Sequence, residues 1–353
     1  MKNVAVIFGG RSSEREVSKL SAATIIGALP PEHINVLPIY ITEDGDWLFY
    51  DGSPDRAVGI AWDKLGTPVT LDCGRRGGGL LRIAGEKTRP IKVDVIFPAL
   101  HGKNGEDGVL QGVFETAGIP YVGCGVRSSA VCMDKAFTKA IIAREGVKQA
   151  AYLSFREREL TDDKLDANLK LIKEKIGYPC YVKPSSGGSS IGISRAATKS
   201  SLAKAINAAL DYDDKIVVEK EIKGREFECA VLSRGDSLIV SAVGEVLSAT
   251  KFYDYSAKYE NSASRTQIPA DLPEEVSEKM RETAALIFNA LDCGGLSRVD
   301  FFYDGELYFN EINTMPGFTV ISMYPLLLAH AGVTTEELLL SLIDDAERRF
   351  ANG

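Results

Sequence analysis

Apolar and polar positions along this chain follow two periods. Val4-Ala5-Val6-Ile7-Phe8 and Val93 to Leu100 are unbroken apolar runs, the form of strands buried on both faces of a parallel sheet. Residues 34–41 and 47–50 read as further strands of the same region, and 62–90 as an irregular, glycine-rich edge. Ser13-Glu14-Arg15-Glu16 has capping-box spacing, and Val17, Leu20 and Ile25 predict the helix behind it. Helices are also predicted over 109–117 and 127–145. Thr161 opens an amphipathic helix with Leu165, Leu169, Ile172 and Ile176 on one face. Strands follow over 178–184, 216–222 and 227–233. A helix over 273–291 buries Met280, Ala284, Ile287 and Leu291, and two more cover 322–329 and 334–350, the last with a capping box at Thr334 and Glu337.

One stretch combines pattern with chemistry. Two β-rich runs, 298–303 and 306–313, flank Asp304-Gly305, a strong hairpin signal. A two-residue turn pairs 303 with 306, 301 with 308 and 298 with 311. Alternation then places Arg298, Asp300, Phe302, Leu307, Phe309, Glu311 and Asn313 on one face, apolar near the turn and polar at the open end. Crowded carboxylates need compensation, since one buried and uncompensated charge costs about 3–5 kcal/mol. The oxygens of Asp300, Glu311 and Asn313 suit a hard cation such as Mg²⁺, which takes one or two carboxylates and fills its shell with phosphate oxygens and water. The plainer alternative is a solvated strand end with a single ion pair.

Composition narrows the class. At 353 residues the chain exceeds one ordinary core, which predicts two or three domains. Hydrophobic content of 45% and charged content of 25% are those of a globular protein, and no apolar run approaches the roughly 20 residues that span a bilayer. The six cysteines include no C-x-x-C pair, so they read as buried thiols in a reducing cytosol. A net charge of −8 argues against general nucleic-acid binding, though not against a local basic pocket.

Other candidates stand at strand ends. Gly9-Gly10 lacks the following G-x-x-G of a dinucleotide site, which disfavours a nicotinamide dehydrogenase. Glu14, in the first helical turn, is either a helix-dipole partner or a carboxylate ready to take an ammonium. His101 falls just past a strand's carboxyl end, where ligands of open α/β sheets bind, and reads as either a structural or a site histidine. Lys183 precedes the glycine/serine loop Ser185 to Gly192, whose N–H groups and hydroxyls can face phosphate. It is not a G-x-x-x-x-G-K-[ST] loop, and a simple hairpin loop is the alternative. Four aromatics in the aperiodic stretch 250–262 suggest a segment that closes over a ligand.

Taken in order, several of these motifs resemble one family nearly end to end. They are Gly9-Gly10 through Glu14-Arg15-Glu16-Val17-Ser18, His101-Gly102 through Glu106-Asp107-Gly108, and Met133-Asp134-Lys135. Val182-Lys183-Pro184, Gly188-Ser189-Ser190 and Tyr253-Asp254-Tyr255 through Lys258-Tyr259 follow. Ser297-Arg298-Val299-Asp300 and Asn310-Glu311-Ile312-Asn313-Thr314 through Pro316-Gly317 complete the set. The resemblance is to the D-alanine–D-alanine ligases, carboxylate–amine ligases of the ATP-grasp fold. It implies an α/β and α+β chain with an N-terminal parallel-sheet domain over 1–127. A central subdomain with the phosphate loop would cover 128–220, and a C-terminal subdomain with lid and metal site 221–353.

The resemblance also implies roles. Lys135 and Lys183 would contact the phosphates of ATP, Glu219, Lys220 and Ile222 the adenine, and Glu226 the ribose. Asp300, Glu311 and Asn313 would hold two Mg²⁺ ions, with Mn²⁺ able to substitute. Glu14 would take the first D-alanine's ammonium, Ser189 and Tyr259 would link to Glu14 by hydrogen bonds, and His101 would bind substrate. Arg298 and the Gly317 N–H would steady an oxyanion, and Ser322, with Lys258, would hold the second carboxylate. Tyr259 stands where D-lactate-using branches tend to carry His. Met323 stands where lactate and serine branches often carry Arg, so both favour D-alanine at the second site. The implied setting is cytoplasmic synthesis of peptidoglycan precursors by a homodimer, without membrane or nucleic-acid partners. Alternatives are a ligase joining D-alanine to D-serine or another acceptor, and a nucleotide-binding regulatory module without turnover.

Overall fold

The computed structural model describes residues 1–74, 79–84, 87–247 and 265–352. Three sheets succeed one another along the chain. The first contains β1 (Lys2–Gly9), β2 (Ile34–Ile41), β3 (Trp47–Phe49), β4 (Thr67–Leu71), β5 (Gly79–Ala84), β6 (Lys87–Lys92) and β7 (Val95–Ala99), in the order β6-β5-β4-β3-β2-β1-β7. β1 pairs in parallel with β2 on one side and β7 on the other, and the other described strand pairs of this sheet are antiparallel. Val4 to Phe8 are at most 1% exposed, as a strand covered on both faces requires. The stretch expected as an irregular edge is instead a one-turn helix, Trp62–Leu65, followed by the antiparallel strands β4, β5 and β6. Its glycines and arginines hide the alternation that marks a strand.

The second sheet contains β8 (Tyr152–Arg156), β9 (Cys180–Pro184), β10 (Ser194–Ala196) and β11 (Lys215–Lys220), ordered β10-β9-β11-β8 and antiparallel throughout. The helix Asp162–Lys175 covers it with Leu169 and Ile172, as its pattern predicts. The third sheet contains β12 (Arg225–Arg234), β13 (Ser237–Val240), β14 (Gly244–Leu247), β15 (Arg265–Gln267), β16 (Leu296–Tyr303) and β17 (Leu307–Asn313). Its order is β15-β14-β12-β16-β17, with β13 also paired to β12. The helix Glu274–Ala290 buries Met280, Ala284 and Ile287 against it, and Leu291 joins the same core.

Several helix ends depart from expectation. The Arg15–Ala28 helix has Glu14 at its N-cap with no side-chain cap bond, because that carboxylate is committed elsewhere. Ser12 Oγ accepts the Glu14 N–H instead, at 3.1 Å. Leu20 is 57% exposed, so the buried stripe of this helix runs through Val17, Ser18, Ser21 and Ile25. The helix expected over 127–145 is two, Val126–Met133 and Lys135–Arg144, split at Asp134. Asp134 Oδ1 accepts the N–H groups of Ala136 and Phe137, capping the second helix. The Thr334–Glu337 capping box forms as expected, each side chain accepting the other's N–H at 2.9 and 3.2 Å. All six cysteines are free thiols. No single described helix is long and apolar enough to cross a membrane.

Candidate active site

The β16–β17 hairpin sets the site, in a register that differs from the expected one. Asp304 Oδ1 accepts the Glu306 N–H at 3.2 Å and Gly305 takes φ +106°, so the loop holds three residues and not two. A bulge beyond Asp300 adds a second shift, leaving Asn310 as the extra residue. Arg298 therefore opposes Asn313, and Asp300 opposes Glu311 directly. The bulge also sorts the faces. Phe309 and Leu307, expected beside the polar group, turn to the core with Phe301, while Glu311 keeps to the face of Asp300.

Charge at this end is partly balanced within the protein. Arg298 Nε and Nη2 each lie 2.8 Å from an Asp300 oxygen, and Nε lies 3.1 Å from Glu228 Oε2. Burial alone would lower the Arg298 pKa; the charges of Asp300 and Glu228 override it and raise it well above its usual range. Asn313 Nδ2 donates to Asp300 Oδ2 at 3.0 Å, and Lys135 Nζ stands 3.6 Å from Glu311 Oε2. Lys135 also donates to the Gly187 carbonyl at 2.6 Å, tying the glycine/serine loop to the hairpin.

Glu14 lies across the same cavity. Its Oε1 accepts a short hydrogen bond from Ser189 Oγ, although the two residues are 175 positions apart. Ser189 and Ser190 both hold left-handed backbone, φ +48° and +59°, a cost carried at the site itself. Two glycines make room for the carboxylate. A Cβ on Gly102 (φ +71°) would lie 2.5 Å from Glu14 Oε2, and one on Gly188 would lie 2.8 Å from the same atom.

His101 lines the same cavity and is tied into the surrounding structure. Burial lowers its pKa against the opposing pull of Glu14. Ser21 Oγ accepts the Phe318 N–H at 3.2 Å, so its own hydroxyl donates to His101 Nε2 at 2.9 Å, and the Nδ1–H donates to the Met315 carbonyl at 3.0 Å. The chain of bonds fastens the 315–318 loop, with Gly317, to the N-terminal sheet. Glu106 lines the same cavity and accepts the Gly102 N–H at 2.9 Å. Burial, then the charge of Glu14, pushes its pKa up to about 8. A carboxyl that holds its proton more tightly folded than unfolded favours the folded state less as pH rises from its ordinary 4.5 toward 8. Denaturant titrations at pH 5 and 8 are therefore expected to show a fall of at most about 1.4 kcal/mol per pH unit from this group, and Glu106→Gln to remove that part of the slope.

A second cavity of about 530 Å³ opens between the central and third sheets, lined by Tyr181, Lys183, Glu219 to Gly224, Glu226 and the hairpin. Lys183 Nζ donates to Glu219 Oε2 at 2.9 Å and reaches Asn310 Oδ1 at 3.5 Å. Burial would raise the Glu219 pKa, but Lys139 and Lys183 hold it down to about 2. Glu221 pairs with Arg195 through both carboxylate oxygens. Ser190, Ile193, Glu228 and Glu311 line both cavities, so the two meet along one wall.

The structure brings Glu14, His101, Lys135, Ser189, Arg298, Glu311, Asn313, Gly317, Ser322 and Met323 around the first cavity, and Lys183, Glu219, Lys220, Ile222, Glu226, Asp300 and Glu311 around the second. Ser322 Oγ accepts the Thr319 N–H at 3.0 Å, which closes the loop before the Met323–His330 helix. Met323 is 6% exposed. Lys258 and Tyr259, with the aromatic stretch around them, lie outside the described residues. Sequence reasoning gave no role to three charged residues: Glu106, Glu228 and Lys139. Glu228 is two positions from Glu226 on β12, and that alternation was a usable signal. Lys139 is one helical turn from Lys135, which was another.

Two antiparallel sheets gripping a cleft, with lysines and a glycine/serine loop facing a carboxylate hairpin, define an ATP-grasp enzyme, an ATP-dependent ligase. Two solved structures share the architecture at high coverage. A VanG D-Ala:D-Ser ligase from Enterococcus faecalis is 40% identical with TM-score 0.88, covering 98% of this chain and 99% of that one. A D-alanine–D-alanine ligase from Coxiella burnetii is 32% identical with TM-score 0.86, covering 99% and 95%. The chain belongs to the D-alanine–D-alanine ligase family: residues 3–124 match the profile of the family's N-terminus and 141–344 that of its C-terminus. A relative from Acetivibrio thermocellus named D-alanine–D-alanine ligase is 48% identical over 99% of this chain and 96% of that protein.

Proposed function

We propose that the protein joins two D-alanines into D-alanyl-D-alanine at the expense of ATP, for peptidoglycan precursor synthesis. The observation that carries this reading is the shared wall. Glu311, opposite Asp300, borders both cavities, so a triphosphate in one would meet an amino-acid carboxylate in the other. In this reading residues 1–127, 128–220 and 221–353 are the three functional units.

Lys135 and Lys183 are assigned to the phosphates, Glu219, Lys220 and Ile222 to the adenine, and Glu226 to the ribose. The donor set at the hairpin fits Mg²⁺: two opposed carboxylates and an amide, whose charge Arg298, shared with Glu228, and Lys135 offset only in part. Asp300, Glu311 and Asn313 would hold two ions, with Mn²⁺ as a substitute. When bound, the metal neutralises charge on the triphosphate. Glu14, held by Ser189, orients the first D-alanine through its ammonium, with His101 keeping the neighbouring loop in place. That substrate's carboxylate attacks the γ-phosphorus and ADP leaves, giving an acyl phosphate. The second D-alanine, its carboxylate at Ser322 and its side chain near Met323, attacks the acyl carbon through its amine, and phosphate departs. Arg298 and the Gly317 N–H steady the oxyanion of that step. No protein nucleophile is needed, because phosphoryl transfer depends mainly on positioning and charge neutralisation. A homodimer acting in the cytoplasm completes the reading.

The Enterococcus faecalis neighbour favours a second reading, ligation of D-alanine to D-serine. An apolar pocket rejects an added hydroxyl by only about 10²-fold. Incubation with ATP, Mg²⁺ and equal D-alanine and D-serine, with products separated by mass spectrometry, decides between them. D-alanyl-D-alanine in large excess supports the first reading; predominant D-alanyl-D-serine supports the second.

A further inference from the structure

Lys139 is the most deeply buried charge near either cavity that the proposed chemistry leaves unused. It is 1% exposed, and its Nζ stands 3.2 Å from Glu219 Oε1, with the rings of Tyr152 and Phe309 centred 5.6 and 6.0 Å away. Neither Lys139 Nζ nor Glu219 Oε1 makes an aligned hydrogen bond with any described residue. The pair is a buried ion pair at 3.2 Å, and Glu219 Oε1 keeps acceptor capacity. Glu219 is 4% exposed and lines the second cavity, while its other oxygen accepts from Lys183. A buried acceptor on a cavity wall calls for a donor on the ligand.

Lys183 is a poor sole guarantor of the Glu219 charge. Its ammonium is also within reach of Asn310 and is assigned to the phosphates, so a bound triphosphate competes for it. Lys139 has no such competitor, since the faces of two aromatic rings flank its ammonium. With Lys139 gone and Lys183 drawn to phosphate, burial would favour the protonated carboxyl, which has an O–H to donate. An ionised Glu219 accepts only; a protonated one can also donate.

We propose that Lys139 is a positioning residue for base selection, holding Glu219 ionised and fixed so that the cavity takes a 6-amino purine and rejects a 6-oxo purine. The inference rests on reading the second cavity as the nucleotide site. The test measures kcat/KM for ATP and for inosine triphosphate, by D-alanine-dependent phosphate release, in wild type, Lys139→Met, Glu219→Gln and the double variant. The wild type is expected to prefer ATP by about 10²-fold or more, as a site with a paired polar group does. Lys139→Met is expected to cut that preference at least tenfold by admitting inosine triphosphate. In the Glu219→Gln background the same change is expected to shift it less than twofold, since no charge remains to be held.

An unchanged preference in Lys139→Met, or equal losses in both backgrounds, overturns the proposal. If Glu219→Gln leaves the preference at its wild-type value, the base does not meet Glu219 and the nucleotide reading of this cavity fails. If Glu219→Gln alters the preference while Lys139→Met does not, the inference about Lys139 fails alone. Should Lys139→Met not fold, Lys139→Gln, neutral but polar, makes the same comparison.

Discussion

Replacing Glu311 with Gln is expected to bring D-alanine-dependent ADP release below about one-thousandth of the wild-type rate while leaving the protein folded. Glu311 is the single acidic side chain of the proposed metal set that borders both cavities. Gln keeps its shape but loses the charge that a hard cation requires. The cost to the fold is small, because the Glu311 ion pair with Lys135 is a loose one at 3.6 Å and 28% of the Glu311 side chain is exposed, where losing one charge costs little. A coupled assay for ADP beside a thermal melt checks both halves. Substantial turnover in a folded variant would remove Glu311 from the chemistry.

Arg298→Met is expected to damage fold and activity together. The guanidinium meets both oxygens of Asp300 and also Glu228, with only 14% of its side chain exposed. Its removal leaves buried carboxylates with less compensation, a loss of about 3–5 kcal/mol, set against total stabilities of about 5–15 kcal/mol. Urea titration reads the stability change directly. Arg298→Lys separates the two roles. It restores a positive charge, and with it part of the stability, but a point charge cannot reproduce the two-pronged geometry, so turnover stays low. Equal recovery of stability and turnover in Arg298→Lys would mean that charge alone is what the site needs.

The legible parts of this protein were those where one local pattern met no competitor. The apolar run Val4 to Phe8 had only one place to go, and the stripe Leu169-Ile172 had one face to cover. The polar end of the hairpin was legible as chemistry but not as register. Asp304-Gly305 signals a two-residue turn, yet the Asp304 carboxylate draws in Glu306, and the bulge at Asn310 has no mark in the local sequence. The two shifts together still set Asp300 opposite Glu311, so the cluster survived a wrong path to it. Asp134 looked like an ordinary position in a long helix, and only its role as a cap, with Lys215 bonded to both its oxygens, explains the break. Lys139 and Glu106 stayed hidden for a related reason. A lone charged residue in a helix or a glycine-rich loop reads as solvated, and only the folded arrangement reveals a buried partner or a neighbouring carboxylate.

The central claim, that this hairpin brings a triphosphate against an amino-acid carboxylate, is tested most directly by oxygen transfer. D-alanine labelled with ¹⁸O in both carboxylate oxygens is supplied with ATP and Mg²⁺, and the released phosphate is analysed by mass spectrometry. Attack of the carboxylate on the γ-phosphorus predicts one ¹⁸O in each phosphate formed. Unlabelled phosphate, with its fourth oxygen drawn from water, would contradict it.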